Sequence, residues 1–116
     1  MDASDIFNRG ASIPRLVTLT YEDTGGYIDL DDLDEITFEV IHAVTNRTLG
    51  TYTLTGGEIT KQDAANGEAW FSVGQTLSST AKRGYYLIRA TSEETDTDYE
   101  NNTHIRKGTS FCFKLD

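Results

Sequence analysis

The side chains with chemistry to offer are gathered in two acidic runs and three isolated residues. The first run, Asp29-Leu30-Asp31-Asp32-Leu33-Asp34-Glu35, has five carboxylates in seven positions, enough oxygen for a hard cation such as Ca²⁺ if the loop curled around it. It lacks the glycine and the terminal bidentate glutamate spacing of an EF-hand loop. A solvated loop with Leu30 and Leu33 tucked inward is the expectation, and calcium at 29–35 the competing one. The second run, with Glu93, Glu94, Asp96, Asp98 and Glu100, reads as a solvated hairpin tip or as a negative rim that selects a basic partner surface. His42 and His104 have no His, Cys or Glu neighbour at ligand spacing, and no motif gives Cys112 a histidine. No nucleophile elbow, phosphate-binding glycine loop or carboxylate pair in an apolar setting is present. The expectation is therefore no enzyme, no catalytic or metal-binding residue and no cofactor.

The elements that would position these groups follow from composition and period. A chain of 116 residues suits one domain with one core. With 19 acidic against 10 basic residues the formal charge is −9, which opposes a polyphosphate partner, so no nucleic-acid binding is expected. A single cysteine excludes an internal disulfide. The start Met1-Asp2-Ala3-Ser4-Asp5 lacks the pattern of a secretion signal, and no apolar run reaches membrane-spanning length; synthesis in a reducing cytoplasm and no membrane partner are expected.

Residues 1–14 have no clean period and read as an extended N-terminal arm, in which Ile6 and Phe7 either fray or dock on a neighbouring subunit. From 15 to 116 short apolar alternations are separated by Gly-rich and Asn-Gly turns, the punctuation of an all-β antiparallel sandwich of about seven strands. Val17, Leu19 and Tyr21 share one face; Ile36, Phe38 and Val40 share the next. Tyr52 and Leu54 follow, then Ile59 on a short edge strand, then Ala69, Phe71 and Val73 after the Asn66-Gly67 turn. Thr76 is expected to cap a single helical turn with Leu77 and Ala81 on its inner side, linking the two sheets. Tyr86, Ile88 and Ala90 are expected inside, as are Phe111, Phe113 and Leu115, with Cys112 on the opposite face.

Asp29-Leu30 leading into Ile36-Thr37-Phe38-Glu39-Val40, then Gly57-x-Ile59-Thr60 with Ala65-Asn66-Gly67, a Leu-Ser-Ser-Thr-Ala turn before Gly84-Tyr85-Tyr86, and the closing Lys107-Gly108-Thr109-Ser110-Phe111 together resemble a family of small phage virion domains. These are Ig-like β-sandwiches similar to the N-terminal domain of phage baseplate upper proteins and to tail and capsid accessory domains. The resemblance spans roughly residues 15–115 and rests on turn and core positions, none of them a chemical signature. The acidic stretch Tyr27 to Glu35 and the segment before Pro14 depart from it. It implies a non-enzymatic structural protein of a tailed-phage virion, in the capsid, neck or tail. Such a protein would be multi-copy or homo-oligomeric and in contact with other virion proteins. Trp70, Tyr85 and Tyr99 are expected to face outward and, with Ile6 and Phe7, to form the subunit contact. The alternative is a host-surface or carbohydrate-binding adhesion module, with Trp70 and Tyr85 stacking on a glycan.

Overall fold

The computed structural model describes residues 5–116. Eight strands lie in two sheets: β1 (Ile6–Phe7), β2 (Ile13–Thr18), β3 (Glu35–His42), β4 (Thr48–Thr53), β5 (Thr60–Asp63), β6 (Glu68–Val73), β7 (Gly84–Thr95) and β8 (Thr103–Leu115). The larger sheet has the order β1-β8-β7-β3-β4 and the smaller β2-β6-β5. All pairings are antiparallel except β1 with β8. The chain changes sheets repeatedly, β1 to β2, β2 to β3, β4 to β5 and β6 to β7, which is the Greek-key connectivity of an Ig-like sandwich. Helix α1 (Gln75–Thr80) makes the last of these crossings.

Period-two alternation sets which residues meet in the middle. Ile36, Phe38 and Val40 of β3 and Ala69, Phe71 and Val73 of β6 are all fully buried. Across the sheets the Phe71 ring lies 5.3 Å from that of Phe38 and 4.9 Å from that of Tyr52. Tyr86 and Phe113 stack at 5.0 Å within the larger sheet. The acidic loop contributes as expected from its leucines: Leu30 and Leu33 are buried, while Asp29 caps a 3-10 turn over Leu30–Asp32 by accepting from the Asp31 amide. Gly67 adopts φ of +70°, and a Cβ there would stand 2.4 Å from the Leu19 carbonyl oxygen, so the Asn66-Gly67 turn needs glycine for both conformation and space.

Three local expectations are corrected. Between Tyr86 and Leu87 the β7–β8 register slips, Tyr86 facing Phe113 and Leu87 facing Phe111. The extra residue, Cys112, turns inward beside Phe113, and Phe111 turns outward. In α1 it is Ser78 that is buried while Leu77 is exposed, because the Ser78 hydroxyl donates to the Ala11 carbonyl at 2.6 Å. The cap of that helix is Gly74, not Thr76, and it makes no side-chain bond. The segment set apart above as an arm, 1–14, lies partly in the sandwich over its described part: Ile6 and Phe7 pair with Lys114 and Leu115. Ile13 and Pro14 pair with Val73 and Ser72, and Ile13 is fully buried.

The Tyr52 hydroxyl is a buried polar atom with no hydrogen-bond partner among the described residues. Removing an unsatisfied hydroxyl relieves a desolvation cost, whereas removing the ring beside it opens a cavity. Tyr52→Phe is therefore expected to leave stability unchanged or raise it by about 1 kcal/mol, and Phe71→Ala to lower it by about 3–5 kcal/mol, both read from urea unfolding.

Candidate functional site

The expected contact residues fall in four places. Ile6, Lys114 and Tyr85 form one transverse row across β1, β8 and β7, so their side chains share the outer face of the larger sheet. Phe111, sent outward by the slipped register, joins them with its ring 6.3 Å from that of Tyr85. Ile6, Tyr85 and Phe111 are each 38–46% exposed, and the Lys114 ammonium sits 5.6 Å above the Tyr85 ring. A lysine on an aromatic face keeps its charge in water while its stem covers apolar surface. The result is a compact aromatic patch with a single cation at its centre. Sequence reasoning missed Phe111 because strict alternation had placed it inside.

Phe7 does not belong to this patch. Its ring meets Phe113 edge-on at 6.2 Å and lies under the Arg15 guanidinium at 5.1 Å, so it closes the end of the core. Trp70 lies on the outer face of the smaller sheet, where Leu16 is its cross-strand partner and is also exposed. Trp70 and Tyr85 therefore point away from opposite sides of the sandwich and form no common platform. Tyr99 is at the far hairpin tip, stacked on His104 with centroids 4.0 Å apart.

Several of the remaining ionisable groups have structural partners. His42 is buried; its Nδ1 accepts from the amides of Val44 and Thr45, both at 3.2 Å, which leaves Nε2 to donate to the Arg83 carbonyl at 3.1 Å. Asp31 pairs with Lys61 at 2.9 Å and Glu94 with Arg106 at 3.0 Å. For Glu35, burial pushes the carboxyl upward, but hydrogen bonds from the Thr55 hydroxyl and amide and from the backbone around it outweigh that and hold it below its usual range. Among the described residues no three His, Cys, Asp or Glu side chains gather where they could hold a metal ion. No family model matches the chain, and comparison with curated proteins and with solved structures finds no significant match to either.

Burial pushes the Cys112 thiol up to about 12, against a smaller downward pull from Arg15. The folded state thus favours the neutral thiol, a preference fully present below the ordinary value near 9 and lost as pH rises from there towards 12. Native protein at pH 8 is expected to be inert to a chromogenic thiol reagent and to react once unfolded in guanidinium. Unfolding midpoints should be flat around pH 8 and fall above pH 9, a fall that in Cys112→Ala is reduced and begins later, because burial also raises the Tyr52 and Tyr86 hydroxyls above their ordinary value of 10.0.

Proposed function

We propose that this chain is a non-enzymatic structural protein of a tailed-phage virion, a rigid Ig-like sandwich that acts through contacts with neighbouring subunits. The observation that carries the contact role is the aromatic patch of Ile6, Tyr85 and Phe111 around Lys114 on the outer face of the larger sheet. Tyrosine and other large aromatics with a flexible cation are the residue types that anchor protein interfaces. They bring large apolar area to a contact while losing few rotamers. Tyr85 and Lys114 at its centre sit where β7 and β8 are hydrogen-bonded on both sides, so that part of the patch is presented without a folding cost at the moment of association. The assignment to a virion rests on the resemblance in turn and core positions described above, and it makes the particle the compartment of the folded protein after synthesis in the host cytoplasm.

The test is made on particles. Virions purified from infected cells are expected to contain the chain in a copy number that matches a symmetric ring or lattice, seen by quantitative mass spectrometry and electron microscopy. A chain that stays in the soluble fraction while particles are complete without it overturns the reading. Tyr85→Ala combined with Phe111→Ser is expected to reduce incorporation at least about ten-fold, since two anchors are each worth roughly 1–2 kcal/mol of association. Its melting temperature should stay within a few degrees of the parent's.

A further inference from the structure

One side of the sandwich is open. Beyond the two residues paired with β1, the outer edge of β8 from Thr103 to Phe111 has no neighbouring strand among the described residues. On the facing sheet β2 is likewise an edge, bonded only to β6. Between these two edges runs a groove of about 1010 Å³. Its origin is in the side chains that β8 turns inward: Phe113 and Leu115 fill the space at one end, but Ser110 and Gly108 follow, and a Cβ on Gly108 would meet nothing within 4 Å. Val17, Leu19 and Ala90 consequently remain half-buried, packed on the core from one side only. At the far end Arg106 closes the groove, paired with Glu94 and lying 5.1 Å over the Tyr21 ring.

We propose that this groove receives an extended segment of another polypeptide, which adds to the β8 edge as a further strand and inserts its alternate apolar side chains against Val17, Leu19 and Ala90. An unpaired strand edge supplies a row of amides and carbonyls that only an extended backbone can satisfy together. Charge selects the occupant. β8 carries His104, Arg106, Lys107 and Lys114 and no carboxylate, in a chain of net charge −9. Lys107 stands exposed on the outer face of the strand, with no ion pair among the described residues. A second copy joined edge to edge and antiparallel over the whole open stretch 103–111 would bring Lys107 against its own counterpart, and like charges directly opposite destabilise a ladder. A segment with a carboxylate on its outward side opposite Lys107 gains the opposite term. Glu22 and Asp23, which line the groove from the β2 side, disfavour further acid on the inward side, where the apolar residues belong. The inference needs only the open edge, and stands or falls independently of whether the chain is a virion protein.

The probe is a capped nine-residue peptide alternating Val with Thr, with Glu at its central outward position, and a twin bearing Lys there. Each is titrated into ¹⁵N-labelled protein and followed by amide shifts and hydrogen exchange. The acidic peptide is expected to perturb and protect β8 amides between 103 and 110, and to bind about ten-fold tighter than its twin. Lys107→Glu should invert that preference. Gly108→Leu, which fills the groove with the protein's own side chain, should abolish binding of both peptides while leaving the fold intact by circular dichroism. Absence of binding up to ~1 mM, a range that would detect even weak docking, overturns the proposal. So does equal binding of the twins, retention in Gly108→Leu, or perturbation centred on Tyr85 and Phe111. Self-association in sedimentation that Lys107→Glu alters would make a second copy the occupant and equally overturn it.

Discussion

The contact on which the rest of the structure depends is the aromatic bridge between the sheets, Phe71 of β6 against Phe38 of β3 and Tyr52 of β4. An open sheet with one apolar face must cover that face with another layer, and large rings do so with the fewest ordered residues. Once these rings fix the spacing of the two layers, the chain crosses between them by defined paths, residues 19–34 from β2 to β3, 54–59 from β4 to β5, and α1 from β6 to β7. The acidic loop is one of those paths. Its leucines are drawn into the core while its carboxylates stay at the surface, so a segment that looks chemically loaded is held by ordinary burial.

That bridge does not extend the length of the molecule. The inward residues of β8 shrink from Phe113 and Leu115 to Ser110 and Gly108, so the layers are close-packed at one end and parted at the other. The principal extents, 44 × 26 × 25 Å, reflect the same asymmetry, since β7 and β8 run on as a hairpin past the last pairing with β3 at Glu93. Glu94–Arg106 and the guanidinium over Tyr21 lace this thinner part where apolar burial no longer does so. Paired charges of this exposure contribute little to stability by themselves, and since β7 and β8 are already joined by their ladder the effect of this pair is to hold the Arg106 guanidinium over the Tyr21 ring.

Much of the fold could be read from alternation. Ile36, Phe38 and Val40, and Ala69, Phe71 and Val73, reached the core because each lies in a regular strand with one buried face, where a shift of one residue would expose the whole set. Asn66-Gly67 was legible for a steric reason, the need for positive φ. What escaped was set by long-range geometry. The slip opposite Leu87 has no local signature, so Cys112 and Phe111 exchanged faces; Ser78 displaced Leu77 through a hydroxyl partner 67 residues away. The candidate site was legible as a set of exposed aromatics and illegible as a surface. Only the strand order shows that Tyr85 and Ile6 are neighbours and that Trp70 lies on the opposite side.

The slipped pairing in β8 has a consequence for how such a chain changes over generations. A strand with one supernumerary residue carries two opposite parities, one on each side of the offset, and the identities of its residues have meaning only relative to that offset. Substitutions along it are absorbed site by site, and loss of the extra residue would leave Phe113 and Phe111 in regular alternation opposite Tyr86 and Leu87 with every position from Thr103 to Ser110 on its present face, whereas a further inserted residue would have to widen the bulge or exchange inside and outside for all of them at once. The offset thus makes this strand more tolerant of shortening by one residue at that place than of lengthening by one.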